Sequence, residues 1–490
     1  MKERAMTPKH SDTERDEARV DRRLVLATAG AALALGPTLS LAANFDGMED
    51  EIARRARDLA AGREVALRLT IPEGSGANVE PIIAAFTERT GIEIKVEKTH
   101  VDDINTHLIL DAISGNDSFD VALPATFGLP DLVAAQAIQP LNRFAARHEP
   151  PGFRNGILYS TGDIFDGEIY GFQTDGDTYL MFYNTDFLDN PAEQAKYADK
   201  TGEALAIPQT WAQLDRQIAF FHRPDENMYG GALFRLPGYL GWEWWVRFHA
   251  KGLVPFTGEM VPQIAGEEGQ AALEEMIAVT QYLTPDVRTV GLFANWETFA
   301  KGNVYCNIGW GGTQKYLNGP KSEIRGKLAH GPTPGGMVNG KRIGAPYFNW
   351  GWDYVVSRQS KEAEIAYLFC LFAASPAIST QSIGQRDGFF DPFRTEHYDD
   401  PKIRKLYGEA FLKVHRESLE TSIPDLYLAN QSEYFLILNE WIDLALSGEI
   451  KPLDALRRIE VEWELITYRA GKETQTERWQ RLLRKYPKIK

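Results

Sequence analysis

Alternating apolar and polar residues predict β-strands in the first third of the chain, with helical patterns between them. Strand-like alternation runs through residues 65–71 and 92–97, and a short apolar strand is predicted at 119–124. Apolar side chains recur at helical spacing over 79–86, and a further helix is predicted over 104–114. Strands and helices that alternate at this spacing predict βαβ units and a mostly parallel sheet.

The pattern changes in the middle of the chain. Residues 208–256 are rich in aromatic side chains on helical patterns that prolines interrupt, and for most of these rings we expect core packing. The Gly- and Pro-rich stretch 330–336 predicts a loop and the clearest internal boundary. After it we expect a strand at 352–356, a helix over about 361–374, and a helical C-terminal third with a helix that begins at Pro452.

Composition narrows the class of protein. The chain has 490 residues, with 53 Lys and Arg against 68 Asp and Glu, which gives a formal charge of −15. Hydrophobic residues are 43% and charged residues 25%, as in ordinary globular proteins, and the length allows two or three domains. The mean hydropathy of −0.33 argues against a polytopic membrane protein. An acidic chain without a basic stripe is unsuited to binding nucleic acid through its phosphates.

Residues 1–42 have the pattern of a secretory signal peptide. Arg22 and Arg23 precede the uncharged run 24–35, and a small-residue cleavage site ends at Ala42. The paired arginines resemble a twin-arginine signal. We therefore predict export to the periplasm with cleavage near Ala42; an ordinary N-terminal helix is the alternative.

Motifs for several catalytic chemistries are absent from the sequence. It contains no Gly-Lys-Ser/Thr of a P-loop, no His-Glu-x-x-His and no Gly-x-Ser-x-Gly. We therefore expect no enzymatic activity, no catalytic residue, no metal site and no cofactor, although the many carboxylates leave a glycosidase pair open. Cys306 and Cys370 lie in apolar segments, which favours buried thiols.

Three Gly-rich segments combine aromatic with acidic or amide side chains, at residues 167–184, 306–312 and 348–353. Aromatic rings stack on the apolar faces of sugar rings, while carboxylates and amides hydrogen-bond to hydroxyl groups. A pocket needs both kinds of side chain to hold a polyol in one orientation. The pattern therefore favours binding of a sugar-like solute, with Trp310 and Asp177 as the first candidates.

Several further motifs, in order along the chain, carry a family resemblance. They are Phe119-Asp120-Val121 with 129–141, which ends in Pro140-Leu141; Ile169–Phe172 leading to Tyr183-Asn184; Pro208-Gln209-Thr210-Trp211; and Gly448 to Pro452 with Ala455-Leu456. With these motifs the sequence resembles the extracellular solute-binding proteins of ABC transporters, in their carbohydrate-binding, maltose-binding-like family. The resemblance implies an α/β fold of two lobes with mixed, mostly parallel sheets and a ligand cleft between the lobes.

The resemblance also implies domain bounds and partners. Residues 64–176 and 334–375 are expected to form the first lobe, and residues 177–333 and 376–490 the second, whose last part is helical. The expected partners are a small solute, which the lobes enclose by a hinge motion, and a membrane permease; the protein itself is expected to be a monomer. A disulfide between the two lobes would oppose closure, so both cysteines are predicted to be free.

The site residues follow from the same resemblance. The predicted ligand-binding residues are Gly74, Ser75, Asn78, Thr126, Phe127, Asp175, Asp177, Tyr179, Trp242, Trp310, Gly311, Trp350, Trp352 and Arg386. The turn 74–78 follows the first strand, where backbone N–H groups face the cleft. Ala125, Thr126 and Phe127 replace a turn that often carries Trp and Asp in the family, and Arg386 lies in a late loop that often approaches the cleft.

Three alternatives stay open from the sequence. The solute could be a polyamine or another cation, because Asp175 and Asp177 would suit an amine. The protein could be a periplasmic carbohydrate-active enzyme with an aromatic cleft. It could also be a scaffold or sensor partner that has kept the fold and lost the ligand.

Overall fold

The computed structural model describes residues 45–486, so the predicted signal peptide and its cleavage site lie outside the described residues. The strands, in chain order, are β1 (Ala66–Pro72), β2 (Glu93–Thr99), β3 (Val121–Ala122), β4 (Ile164–Phe165), β5 (Glu168–Ile169), β6 (Gly171–Gln173), β7 (Leu180–Asn184), β8 (Tyr229–Ala232), β9 (Val304–Gly309), β10 (Leu328–Pro332), β11 (Gly336–Val338), β12 (Lys341–Ile343) and β13 (Asp353–Val356).

The helices alternate with these strands and then fill the C-terminal part of the described chain. They are α1 (Met48–Ala60), α2 (Gly76–Thr90), α3 (Ile104–Ser114), α4 (Leu129–Ala134), α5 (Asn142–His148), α6 (Thr185–Leu188), α7 (Pro191–Thr201), α8 (Trp211–Phe221), α9 (Leu240–His249), α10 (Glu267–Thr280), α11 (Leu292–Ala300), α12 (Gly311–Leu317), α13 (Ala363–Ala373), α14 (Pro376–Ile383), α15 (Thr395–Asp399), α16 (Pro401–Tyr407), α17 (Glu409–Thr421), α18 (Gln431–Leu446), α19 (Pro452–Arg469) and α20 (Lys472–Leu483).

The first sheet has the strand order β2-β1-β3-β13-β6. Strand β1 pairs in parallel with β2, in the register Ala66 to Glu93, and with β3, while β13 runs antiparallel between β3 and β6. Leu67, Leu69 and Ile71 alternate along β1 and are buried, as the sequence pattern predicts. Helix α13 covers β13, and α1 packs against α13 and α2. The predicted strands and helices of this region are confirmed.

The second sheet has the order β10-β7-β9-β8, in which only β8 and β9 run parallel. Both sheets are therefore mixed, as predicted. Among the paired strands of residues 45–486, β1–β2, β1–β3 and β8–β9 are parallel and the other neighbours are antiparallel. The physical reason is that strands which cross from one sheet to the other, such as β7 and β13, enter in the opposite direction.

The predicted loop at 330–336 is wrong for its first three residues. His330, Gly331 and Pro332 belong to β10, where they pair with Phe182 to Leu180 of β7. Strand β10 lies at the edge of its sheet, and a proline at the end of an edge strand removes no ladder hydrogen bond. The turn residues therefore coexist with a strand at this position.

The aromatic residues of 208–256 mostly pack in the core, as expected. Trp244, Trp245 and Phe248 on α9 are fully buried. Helix α9 is fixed by a buried ion pair, because Glu243 accepts hydrogen bonds from Arg235 Nη1 at 2.5 Å and from Arg247 Nε at 2.9 Å. This rigid helix carries Trp242 to the functional site.

Two chain segments connect the sheets, residues 174–179 between β6 and β7 and residues 333–352 between β10 and β13. The C-terminal helices contact both sheet layers. Helix α17 packs on β10, whereas α14 packs on α2, where Asn78 Nδ2 donates to the Ser382 carbonyl at 2.8 Å. The sequence places all of 376–490 in the second lobe, whereas α14 packs on α2 and α13; the lobe bounds stay a prediction.

Cys306 lies on β9 of the second sheet and Cys370 on α13 beside the first sheet. Both are buried and both are free thiols. Within residues 45–486 no single helix is long and apolar enough to span a membrane; α13 and α14 meet that test only as a pair bent by 63°.

Candidate functional site

Three buried carboxyl groups meet where the connecting segments cross. Asp175 and Asp177 lie on the segment between β6 and β7, and Asp391 lies on the loop after α14. The Asp391 N–H donates to Asp175 Oδ1 at 2.7 Å, and the Gly351 N–H donates to Asp177 Oδ2 at 3.3 Å. One oxygen of each carboxyl group lies within 4.8 Å of the others. We call these three residues the carboxyl cluster.

Burial controls the protonation of the carboxyl cluster. Burial and the nearby Asp391 raise the pKa of Asp175 well above its ordinary value, and burial and Asp175 do the same for Asp177. Burial raises the pKa of Asp391 to about 6, against the opposing effect of Lys315. Burial also lowers the pKa of Lys315 to about 8. Carboxyl groups that retain protons can both donate and accept hydrogen bonds, as recognition of hydroxyl groups requires.

Four aromatic residues pack against one another beside the carboxyl cluster, and we call them the aromatic cluster: Tyr239, Trp242, Trp310 and Trp350. The ring centroids of Trp242 and Trp350 are 5.1 Å apart, those of Trp310 and Trp350 are 5.5 Å apart, and those of Tyr239 and Trp242 are 5.0 Å apart. All four side chains are buried. Trp310 Nε1 donates to Asn349 Oδ1 at 3.1 Å, which fixes the orientation of this ring.

Trp350 has a strained backbone. Its φ of 73° lies in the left-handed region, which a bulky residue rarely adopts, and such a conformation costs about 1–3 kcal/mol. The Thr126 hydroxyl and the Thr126 N–H both donate to the Trp350 carbonyl. These contacts hold the turn of the second connecting segment against residues that follow β3.

Two neighbouring cavities differ greatly in size. The small cavity, between Asp177, Trp310 and Trp350, has a volume of about 20 Å³, enough for one water molecule. The large cavity has a volume of about 280 Å³ and lies between the turn after β1 and helices α11 and α12. Trp296, Gly312 and Phe389 line both cavities. The rest of the large cavity is lined by Gly74, Phe293, Lys315, Tyr316, Gly319, Pro320, Lys321, Arg386, Asp387 and Gly388.

Most of the residues predicted for the site lie together in the structure. Those in or against the carboxyl and aromatic clusters are Thr126, Phe127, Asp175, Asp177, Tyr179, Trp242, Trp310, Gly311, Trp350 and Trp352. Gly74 and Arg386 line the large cavity instead. A Cβ at Gly311 would overlap the Asp391 carboxyl group, so glycine is required there for close approach.

Two predicted residues use their side chains within the protein. Ser75 Oγ donates to the Pro72 carbonyl at 2.7 Å. The amide oxygen of Asn78 accepts from the Phe390 N–H at 3.2 Å, in addition to the bond that its amide nitrogen gives to Ser382. Ser75 therefore fixes the turn after β1 and Asn78 braces the loop after α14, while their contact with a ligand stays a prediction.

Sequence reasoning missed several residues of the large cavity, and Asp391 of the carboxyl cluster. Phe389 and Asp391 follow directly after the predicted Arg386 loop, so their position was a usable signal. Trp296 on α11 and Lys315 on α12 have no such signal, because a helical pattern does not show which side chain borders an empty space. Lys315 is buried and its Nζ donates to the Phe390 carbonyl at 2.9 Å.

The fold is similar to that of solved solute-binding proteins. An Agrobacterium radiobacter ABC transporter solute-binding protein in complex with ribitol is 18% identical, with a TM-score of 0.71 over 82% of this chain and 98% of that chain. An Agrobacterium vitis ABC transporter solute-binding protein with bound D-mannitol is 17% identical, with a TM-score of 0.69 over 83% of this chain and 99% of that chain. Maltose-bound MalE3 of T. maritima is 18% identical, with a TM-score of 0.67 over 82% of this chain and 100% of that chain.

These likenesses establish the two-lobe α/β fold that the sequence predicts. The sequence itself matches the profile of a family described as bacterial extracellular solute-binding protein, over residues 81–407, which is more than half of the chain. The chain therefore belongs to the bacterial extracellular solute-binding proteins.

Proposed function

We propose that the protein is the exported substrate-binding component of an ABC importer, which captures a sugar or polyol between its lobes and delivers it to a membrane permease. The observation that carries this proposal is the large cavity, whose walls include the rings of Phe293, Trp296 and Phe389. Rings of this kind stack on the C–H faces of sugars, and Arg386 and Asp387, which line the same cavity, offer hydrogen bonds to hydroxyl groups.

The size of the cavity favours a small solute. Its volume of about 280 Å³ is close to the lower end of the range for ligand pockets, roughly 300–1,000 Å³. A monosaccharide or a linear polyol suits this space better than a long oligosaccharide. Proteins of the same fold bind ribitol and D-mannitol, which supports the same class of solute here.

The proposed mechanism is a shift of population between open and closed lobes, in which no covalent bond is made or broken. The solute would contact the turn after β1 on one side and helices α11 and α12 on the other, so its binding favours the closed state. The segments 174–179 and 333–352 would act as hinges, which supports lobe boundaries near residues 176 and 333. We further propose a monomer, located in the periplasm after twin-arginine export and cleavage near Ala42.

The geometry favours binding over hydrolysis. A glycosidase places two carboxyl groups about 5–9.5 Å apart on either side of the scissile bond. Asp175, Asp177 and Asp391 instead lie together in one buried cluster, and the cavity of about 20 Å³ that Asp177 lines has no room for a sugar between two carboxyl groups. A cationic solute is also less favoured, because Lys315, Lys321 and Arg386 line the large cavity.

Thermal unfolding of the protein from Ala43 onward, against a panel of monosaccharides, polyols and polyamines, tests the proposal. A ligand that binds the native state stabilises it by about 2.7 kcal/mol at a hundredfold excess over Kd. We expect a shift with a sugar or polyol, and at least about tenfold weaker binding in Phe389→Ala, because this ring forms a cavity wall.

The matched control is Tyr468→Ala, which removes an aromatic ring that is 77% exposed on α19, away from the cavity. Its affinity should equal that of the wild type. If no sugar or polyol shifts the transition, or if a polyamine alone does so, the proposal is wrong. Turnover of an oligosaccharide by the purified protein would support the enzyme alternative instead.

A further inference from the structure

The charge of the large cavity differs from that of the chain. The chain carries a formal charge of −15. The charged side chains that line the cavity are nevertheless three cations, Lys315, Lys321 and Arg386, and one anion, Asp387. A cavity with this excess of cations in an acidic protein indicates a solute with complementary charge.

The three cations are not equivalent. Lys315 is buried at the inner end, where its Nζ is bonded to the Phe390 carbonyl and its charge is balanced by Asp391. Lys321 and Arg386 are exposed at the mouth. Over residues 45–486, neither of these two side chains has a hydrogen-bond or ion-pair partner. The positive charge without an internal partner is therefore at the mouth.

The cavity is thus polarised from its aromatic walls to its mouth. Phe389 and Trp296 form walls that it shares with the small cavity, while Lys321 and Arg386 face solvent. A solute that fits this cavity needs an apolar face, of a ring or a chain, that packs on Phe389 and Trp296. It also needs an anionic group that binds the Arg386 guanidinium at the mouth. Arginine binds a carboxylate with two parallel hydrogen bonds, which fixes orientation as well as charge.

We propose that the solute is an acidic sugar or polyol of monosaccharide size, a uronate or an aldonate, whose carboxylate binds at Arg386 and Lys321. The inference rests on the proposed function and narrows its substrate class, since the ribitol and D-mannitol of the related structures are neutral. Asp387 beside Arg386 opposes a second negative charge, so a carboxylate is favoured over a phosphate ester, which is a dianion near neutral pH.

Titration calorimetry with matched acid and neutral solutes tests this inference. The pairs are galacturonate with galactose and gluconate with glucitol, and glucose 6-phosphate tests the phosphate ester. We expect the acid of one pair to bind at least about tenfold more tightly than its neutral partner, as a hydrogen bond to a charged group implies. Added salt should weaken binding of the acid alone, because the cations at the mouth are exposed.

Arg386→Gln should lower the affinity for the acid at least about tenfold and so abolish its preference over the neutral partner. Lys321→Gln should reduce the preference to a smaller extent. Arg458→Gln is the matched control, because it removes the same charge from an exposed position on α19 and should leave the preference unchanged. Circular dichroism checks that each variant folds.

The outcomes separate this inference from the proposed function. Equal affinity for acid and neutral solutes would overturn the inference and leave the proposed function intact. A preference for the acid that survives when Arg386→Gln and Lys321→Gln are combined would do the same. Tighter binding of glucose 6-phosphate than of either carboxylate would overturn the choice of carboxylate. Binding of no sugar, neutral or acidic, would overturn both.

Discussion

The aromatic cluster and the wall of the large cavity are built from the same kinds of side chain, yet one is filled and the other is open. In the aromatic cluster, ring centroids 5.0–5.5 Å apart leave beside them a cavity of only about 20 Å³. At the wall formed by Phe293, Trp296 and Phe389, a cavity of about 280 Å³ remains. Aromatic composition therefore indicates a possible binding surface, whereas the backbone around the rings decides whether there is space for a solute.

Glycine at close approaches explains part of this difference. Gly74, which lines the large cavity, has a φ of +91°, and a Cβ there would lie 2.9 Å from Phe389 Cε1. Without that Cβ, the Phe389 ring can lie against the backbone and leave the cavity free. Around the aromatic cluster, rings from separate chain segments meet one another directly.

The largest expected effect is on the free energy of unfolding, which should fall more when a ring of the aromatic cluster is removed than when a ring of the cavity wall is removed. Trp310→Ala should lower the free energy of unfolding by about 3–5 kcal/mol, because it removes a buried ring that its neighbours cannot replace. Phe389→Ala should lower it by about 1 kcal/mol, since this ring is only half-buried. Urea denaturation measures both values.

The comparison would fail if Trp310→Ala kept the stability of the wild type and lost solute binding. That result would mean that the aromatic cluster is open to solute in solution. Trp244→Ala is a control for ring loss in the core, because Trp244 is fully buried on α9.

A smaller effect concerns the carboxyl cluster, which borders the small cavity through Asp177. Folded Asp391 keeps its proton up to about pH 6, whereas an unfolded aspartate titrates near 4. At this group the folded state therefore binds more protons between these values, and the contribution of Asp391 to the free energy of unfolding should fall as the pH rises from about 4 to about 6. Asp391→Asn should flatten this slope, by about 1–3 kcal/mol over the interval.

Urea denaturation at a series of pH values measures the slope. Asp199→Asn is the control, because Asp199 is exposed at the end of α7 and its loss should leave the slope unchanged. The same slope in the wild type and in Asp391→Asn would show that this carboxyl group is charged throughout the interval.

The smallest expected effect comes from Gly74→Ala, which tests whether the missing side chain at this position keeps the cavity open. Gly74→Ala should destabilise the fold by about 1 kcal/mol through its left-handed backbone, and should weaken solute binding because the new Cβ displaces Phe389. Gly62→Ala is a matched control, since Gly62 has a φ of +77° with no neighbour within 4 Å. Equal solute affinity in the two variants would show that Gly74 does not keep the wall open.

The sequence predicts local structure better than open space. The helix at 104–114 and the alternation of β1 follow from periodicity, and the structure confirms them. Most of the predicted aromatic and acidic residues also lie together. Their packing was not predictable, because the distance between Trp242 and Trp350 depends on how residues more than a hundred positions apart are brought together.

Pro332 and Trp296 show two kinds of error in the sequence analysis: a strand residue that was predicted as loop, and a cavity residue that was not predicted. Pro332 has the local chemistry of a loop, but its position at a sheet edge lets it end a strand. Trp296 is one ring on an ordinary helix, and only the three-dimensional structure shows that it lines both cavities. Local patterns contain neither kind of information.

The spacing of the tryptophan rings also has an optical consequence. Indole rings that are 5.1–6.1 Å apart, as in Trp242, Trp310 and Trp350, are close enough to pass excitation energy to one another, and their fixed mutual orientation contributes to the near-ultraviolet circular dichroism of the folded protein. Trp296 and Trp352 border the same small cavity. Motion of the connecting segments would change these separations, so the native protein carries its own fluorescent reporter of lobe movement.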